Sequence, residues 1–202
     1  MNDRNKNRPG YKETKVGWIP EEWSDPKFGA LGKILSGGTP STTDESYWNG
    51  PIAWITPTDI TRLTTRHIQS TARTITEKGL KKCSAILLPT GTLVLCTRAT
   101  IGECAITKCQ TTTNQGFKNL VPNTSVNIDF IYYQTKQHKH ALLRLGCGST
   151  FLEVSKTDLS LLHIPLPPLA EQEKIAEVLS CWDEELESLE KLIEAKKLRK
   201  KG

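Results

Sequence analysis

The chain has 202 residues, of which 37% are hydrophobic and 24% charged, with a formal net charge of +5. That is enough apolar material for one packed domain plus an appendage, and too mixed a composition for a disordered chain. No apolar run reaches the roughly 18 residues of a membrane span, and the polar start MNDRNKNRPGYKETK does not read as a signal peptide, so the expected location is cytoplasmic. The charge is uneven: residues 170–202 hold nine acids and seven bases (−2), leaving thirteen acids and twenty bases (+7) on residues 1–169. A basic body is compatible with a polyanionic partner. Six cysteines at irregular spacings, with no CxxC pair, read as buried or inert thiols.

In chain order, residues 1–15 read as a polar tail. From 16 to about 126 the chain breaks into short apolar runs bounded by Pro, Gly, Asn or Thr. PIAWITP, AILLP, TLVLC, ECAIT and FKNLVP predict strands. Turns are expected at Pro89-Thr90-Gly91 and Ala99-Thr100-Ile101-Gly102, which together point to an antiparallel meander. The dense threonines (TPTDITRLTT, TARTITEKG, TTTNQG) suit half-exposed strands, with hydroxyls that solvate or bond a ligand. Trp48 and Trp54 read as core. Asn127 then caps a helix through FIYYQTKQHKHALLRLG that stops at Gly146.

Pro165, Pro167 and Pro168 fit neither a helix interior nor a central strand, so they predict a stiff, extended exit from the body. The helix that follows has Glu171 and Glu173 in its first turn and KKLRKKG at its end, both matched to the helix dipole. Ile175, Leu179, Trp182, Leu186, Leu189 and Ile193 step by 4, 3, 4, 3, 4, a heptad seam. Such a helix is about 48 Å long at ~1.5 Å per residue, and its one apolar stripe must be covered. A second helix from another chain is the expected cover. The fold class is therefore α+β: a β-rich body at 16–168 followed by a coiled-coil-type helix at 169–202.

Catalytic motifs do not emerge. Glu13-Thr14-Lys15 and Glu194-Ala195-Lys196 match an ExK pattern by letters alone, in a tail and on a helix end. His138 and His140, two apart on a helix, point in different directions and do not make a metal site with Cys147.

Six segments resemble the specificity subunit of type I restriction–modification systems: GWIPEEW (17–23), LGKILSGGTPST (31–42), YWNGPIAWITPTDI (47–60), TRATIGECAI (97–106), TTNQGFKNLVP (112–122) and GSTFLEVSKTDLSLLHIPLPPLAEQEKIAEVL (148–179). The resemblance covers residues 11–202, and IPLPPLAEQEKIAEVL is its most specific piece. It implies a non-catalytic DNA reader: a target-recognition domain and a spacer helix, working with a methyltransferase subunit and a restriction/translocase subunit. S-adenosylmethionine, ATP and Mg are then implied for those partners, and no cofactor for this chain. The family's full-length subunit carries two recognition domains and two spacer helices. One of each here leaves a half-length subunit, with its second recognition domain supplied by itself or by another specificity subunit, or a truncated gene product. A rod of about 48 Å spans on the order of 14 base pairs at ~3.4 Å per pair, the scale of a gapped site.

Candidate DNA contacts follow from side-chain chemistry. Arg62, Arg66 and Arg98 can bond guanine or phosphate, and Asn114 and Gln115 have the amide geometry to read adenine. Gly37, Gly38 and Thr39 form a small-residue loop that would let backbone approach phosphate, and Thr150 is a further hydroxyl. At each position a bland alternative competes: solvated arginines, or a turn at Asn114-Gln115-Gly116 bonding its own backbone. On residues alone, a protein–protein adaptor with an oligomerising helix remains the alternative function.

Overall fold

The computed structural model describes residues 5–146 and 152–200. The chain opens on a hairpin, β1 (Tyr11–Thr14) paired antiparallel with β2 (Gly17–Pro20). The tail expected over 1–15 is thus partly structured, because Gly17 at φ +105° takes a turn conformation that other residues resist. In chain order there follow β3 (Gly32–Ser36), β4 (Trp48–Ile55), α1 (Pro57–Thr61), β5 (His67–Ile68), β6 (Thr74–Ile75) and α2 (Glu77–Lys81). Then come β7 (Leu93–Cys96), β8 (Cys104–Thr107), β9 (Thr111–Thr113), β10 (Phe117–Pro122), α3 (Ile128–Gln137), α4 (Lys139–Leu145), α5 (Lys156–Leu161) and α6 (Leu169–Arg199). The class is α+β, as expected.

A five-stranded sheet in the order β3-β10-β7-β8-β5 forms the centre. Its first three pairings are antiparallel and β8–β5 is parallel, so it is a mixed sheet and not the simple meander the turns implied. Alternation along β7 explains why the sheet is covered on both faces. Leu93 and Leu95 join Leu120, Ile106, Phe130 and Ile131 in the main core, while Val94 and Cys96 face Ile55, Ile60, Leu88 and Phe117. Each such leucine contributes about 1.5–3 kcal/mol by leaving water. AILLP is not a strand: only Leu88 pairs, opposite Thr111, and the following Pro89 has no N–H to extend a ladder.

A second sheet, β6-β4-β9, packs around Trp48, Trp54 and Ile75. Here the threonine expectation fails. Thr111, Thr112 and Thr113 are buried, and the hydroxyls of Thr111 and Thr112 both donate to Ala53 O, at 3.1 and 2.9 Å. Threonine is the β-branched residue that fits a buried strand and still satisfies a neighbouring carbonyl.

Asn127 caps α3, its side chain accepting from Phe130 N at 2.9 Å. The helix expected to run unbroken to Gly146 divides at His138, whose own N–H and ring Nδ1 both reach Gln134 O (2.9 and 2.8 Å).

The proline exit is strapped down. Leu166 pairs with Ser24 and His163 with Lys27 as antiparallel bridges, so the chain leaves the body along a fixed line. α6 then starts at Leu169 and, with 31 residues, extends about 46 Å. Its root belongs to the body: Gln172 and Ala176 are buried, and Ile175 packs against the main core. Ile175 is therefore taken by the body, and the free part of the seam starts at Leu179.

Candidate nucleic-acid interface

The loop after β3 is held from beneath by two indoles. Trp54 Nε1 donates to Gly38 O at 2.9 Å and Trp48 Nε1 to Ser41 O at 3.0 Å. The rings meet edge to face with centroids 5.0 Å apart, so the two tryptophans are core, as expected, and also anchors. Above them Arg73 lies over Trp48, its Cζ 3.7 Å from the ring centroid. Arg73 escaped the sequence reading. The available signal was an arginine in TARTIT beside a strand bearing two tryptophans, the geometry that favours a cation–π pair.

Gly37 and Gly38 face the interior and not the surface. Both are buried, and a Cβ on Gly37 would lie 2.0 Å from Asn114 O, one on Gly38 2.4 Å from Ala85 N. They are glycine because backbone crosses backbone inside the body. Thr39 and Gln115 do reach the surface together, the threonine hydroxyl bonding Gln115 Oε1. Asn114 Oδ1 accepts from Gly116 N at 2.9 Å, so the turn bonds its own backbone and only Gln115 is exposed. Arg66 is not available either. Its Nε lies 2.9 Å from Asp129 Oδ1 and its Nη1 4.0 Å from Asp183 Oδ2, with 13% of the side chain exposed. It ties α3 to α6. Thr150 lies outside the described residues, as does Cys147.

Arg98 is partly exposed and paired with Glu153. It follows Thr97, whose N–H donates to Gly116 O at 2.8 Å, and a Cβ built on Gly116 would lie 3.7 Å from Arg98 Cβ and 4.0 Å from Pro57 Cγ at the start of α1, so the Thr39–Gln115 pair, Arg98 and α1 share one region of the surface. Asp59 squares this region, accepting from Thr56 N (2.8 Å) and from Ala72 N (2.9 Å), which links α1 to the segment carrying Arg73. An open cleft of about 470 Å³ has Ile60, Thr61 and Leu63 on one wall and Ala99–Ile101 on the other, the two segments that carry Arg62 and Arg98. Among the described residues Arg62 and Arg73 are exposed and lack a carboxylate partner. The face therefore offers two unpaired cations, one paired cation and a fixed amide, donors suited to phosphate and base edges. Among the described residues no cluster of His, Cys, Asp or Glu could hold a metal, and no helix is long and apolar enough to cross a membrane.

The second surface is α6. Tyr133 donates from its hydroxyl to Asp183 Oδ2 at 2.6 Å, and Trp23 Nε1 to Glu171 Oε2 at 3.1 Å, so the helix root is clamped from two sides. Along the helix from Leu179 to Ile193 the seam is nevertheless open: Trp182 is 62% exposed, Leu186 57% and Leu189 54%, with Leu179 and Ile193 also exposed. An apolar row this long and this open is unusual on a monomer's surface.

Comparison with known proteins matches this layout. A family model described as the type I restriction modification DNA specificity domain covers residues 20–197. The type I restriction enzyme MjaIX specificity subunit of Methanocaldococcus jannaschii is 42% identical over 183 residues, 90% of this chain and 42% of that protein. The EcoR124I/EcoR124II specificity subunit of Escherichia coli is 28% identical, over 91% of this chain and 46% of that protein. In structure the body and helix resemble the HsdS subunit from Thermoanaerobacter tengcongensis, with a TM-score of 0.66 at 21% identity over 91% of this chain and 42% of that one. The chain thus spans less than half the length of these relatives. It is a member of a family of DNA-specificity components, which are non-catalytic parts of restriction–modification enzymes. The chain belongs to the type I restriction–modification DNA specificity domain family.

Proposed function

We propose that the chain supplies one target-recognition domain (16–168) and one spacer helix (169–202) to a cytoplasmic type I complex, and reads one half of a bipartite duplex site. The reading surface is the face with Thr39, Arg62, Arg73, Arg98 and Gln115. The observation that carries the reading is the contrast along α6: a root locked to a basic body, then an open apolar row. A rod fixed at one end and sticky along its length holds two reading bodies at a set distance. The partner helix comes from a second copy or another specificity subunit. The methyltransferase subunit docks on the assembly, and the restriction/translocase subunit joins it; S-adenosylmethionine, ATP and Mg belong to those subunits.

The test is base-resolution DNA methylation in a clean host that co-expresses this chain with the methyltransferase of its own locus. A gapped palindrome with identical halves supports a symmetric pair of this chain. Absence of any methylated motif, with the two proteins co-purifying, overturns the self-paired form and leaves pairing with another specificity subunit.

A further inference from the structure

We propose that Glu153 holds Arg98 in reserve, competing with phosphate for its guanidinium and so suppressing attachment to non-target duplex. The inference rests on the DNA-reading function above and names a residue that tunes it. Glu153 Oε2 accepts from Arg98 Nε at 3.2 Å and from Nη2, while Oε1 lies 3.4 Å from Lys118 Nζ. One carboxylate serves two cations, and the cations are unequal. The Lys118 side chain is 9% exposed, on strand β10 inside the five-stranded sheet, and needs a counter-charge wherever Arg98 goes. The Arg98 side chain is 42% exposed, at the edge of the Gln115 turn. An exposed pair is weak and screened by salt, so Arg98 can leave while Glu153 stays with Lys118.

The backbone keeps the competitor in place. Residues 98 and 153 face each other as an isolated antiparallel bridge, and Val154 N donates to Thr97 O at 2.9 Å. Glu153 therefore does not follow the guanidinium when it swings away. A phosphate can replace the carboxylate in the same two-pronged geometry. It does so when the rest of the face has docked on the right sequence. On arbitrary duplex, Arg98 stays with Glu153 and adds no phosphate contact.

The experiment measures affinity of the full chain for a duplex of arbitrary sequence as a function of salt. Four variants are compared: Glu153→Gln, Glu184→Gln (an equal charge change on α6), Glu153→Gln with Arg98→Ala, and Glu153→Gln with Lys118→Met. The expected result for Glu153→Gln is tighter binding than Glu184→Gln, with a salt slope steeper by about 0.9, one extra phosphate contact. Adding Arg98→Ala removes the gain. Adding Lys118→Met keeps it, and guards against a fold weakened by an unpaired buried lysine. The proposal falls if Glu153→Gln binds no tighter than Glu184→Gln, or if the gain survives Arg98→Ala; the DNA-reading function then stands. A chain that retains no duplex at low salt in any variant overturns both.

Discussion

Gln172 Oε1 accepts from Asn127 N at 2.9 Å, joining the first turn of the spacer helix to the cap of α3. The same amide donates to Pro167 O at 2.9 Å and to Ser125 O at 3.3 Å, and the side chain is buried. This explains the central glutamine of LAEQEKI: one residue satisfies three backbone groups at the point where the helix leaves the body. Gln172→Ala strands those groups at a cost of about 1–3 kcal/mol. For a chain of this size the melting temperature should fall by roughly 2–4 °C per kcal/mol. Hydrogen exchange should speed up over 169–176 while β7 and β8 amides stay protected. An unchanged melting temperature would show that the amide is not structural.

Two arginines of similar appearance in the sequence should separate by experiment. Arg66→Ala breaks the contacts to Asp129 and Asp183 and should lower stability by about 1–3 kcal/mol, between the values for exposed and buried pairs. Its effect on the salt dependence of DNA binding should be nil. Arg73→Ala should weaken duplex binding and reduce the salt slope by about 0.9, the loss of one phosphate contact. Arg73→Lys should recover less than the full affinity, because an ammonium lacks the planar face laid on Trp48. Titrations of labelled duplex at several salt concentrations, beside urea melts, decide both.

The parts of the fold legible in the sequence were those with strong local signals. TLVLC and ECAIT form strands because continuous apolar runs of that length suit a sheet covered on both faces. The heptad row and the proline exit gave the long helix directly. What could not be read was partnership across the chain. Nothing local distinguishes Arg66, which meets Asp129 sixty-three residues on, from Arg62, which meets no carboxylate among the described residues. Gly37 and Gly38 carry the same ambiguity: a small residue signals close approach, and only the fold reveals that the approaching group is Asn114 backbone and not phosphate. Ile175 continues the heptad by spacing, yet the body's core claims it.

Glu103 should govern part of the acid limb of stability. Hydrogen bonds from Lys136 (2.8 Å) and from Lys139 hold its carboxyl below the ordinary 4.5. A depressed folded value favours the ionised form in the native state. The contribution is therefore complete above about 4.5 and is lost as pH falls through the lowered folded value. Glu103→Gln should reduce the urea midpoint at pH 7 and flatten its decline as pH falls below about 4.5. Identical pH profiles for the two proteins would rule out this cluster as a source of acid sensitivity.

Leu186 and Leu189 sit on α6 past the Tyr133–Asp183 contact, 57% and 54% exposed, and neither belongs to the body's core. Changing both to Asp should therefore leave the body's melting temperature within a degree or two, since exposed substitutions usually cost under about 0.5 kcal/mol. The same change places charges at successive seam positions, where a paired helix would have to desolvate them. Light scattering should report a larger species for the wild-type chain at high concentration, or with a second specificity subunit, and a monomer for the double variant. Ile175→Asp makes the contrasting control, because Ile175 is packed in the main core and its loss should unfold the root of the helix. If the Leu186/Leu189 variant still assembles, the apolar row is not the pairing surface, and the second reading body must be recruited through the body itself.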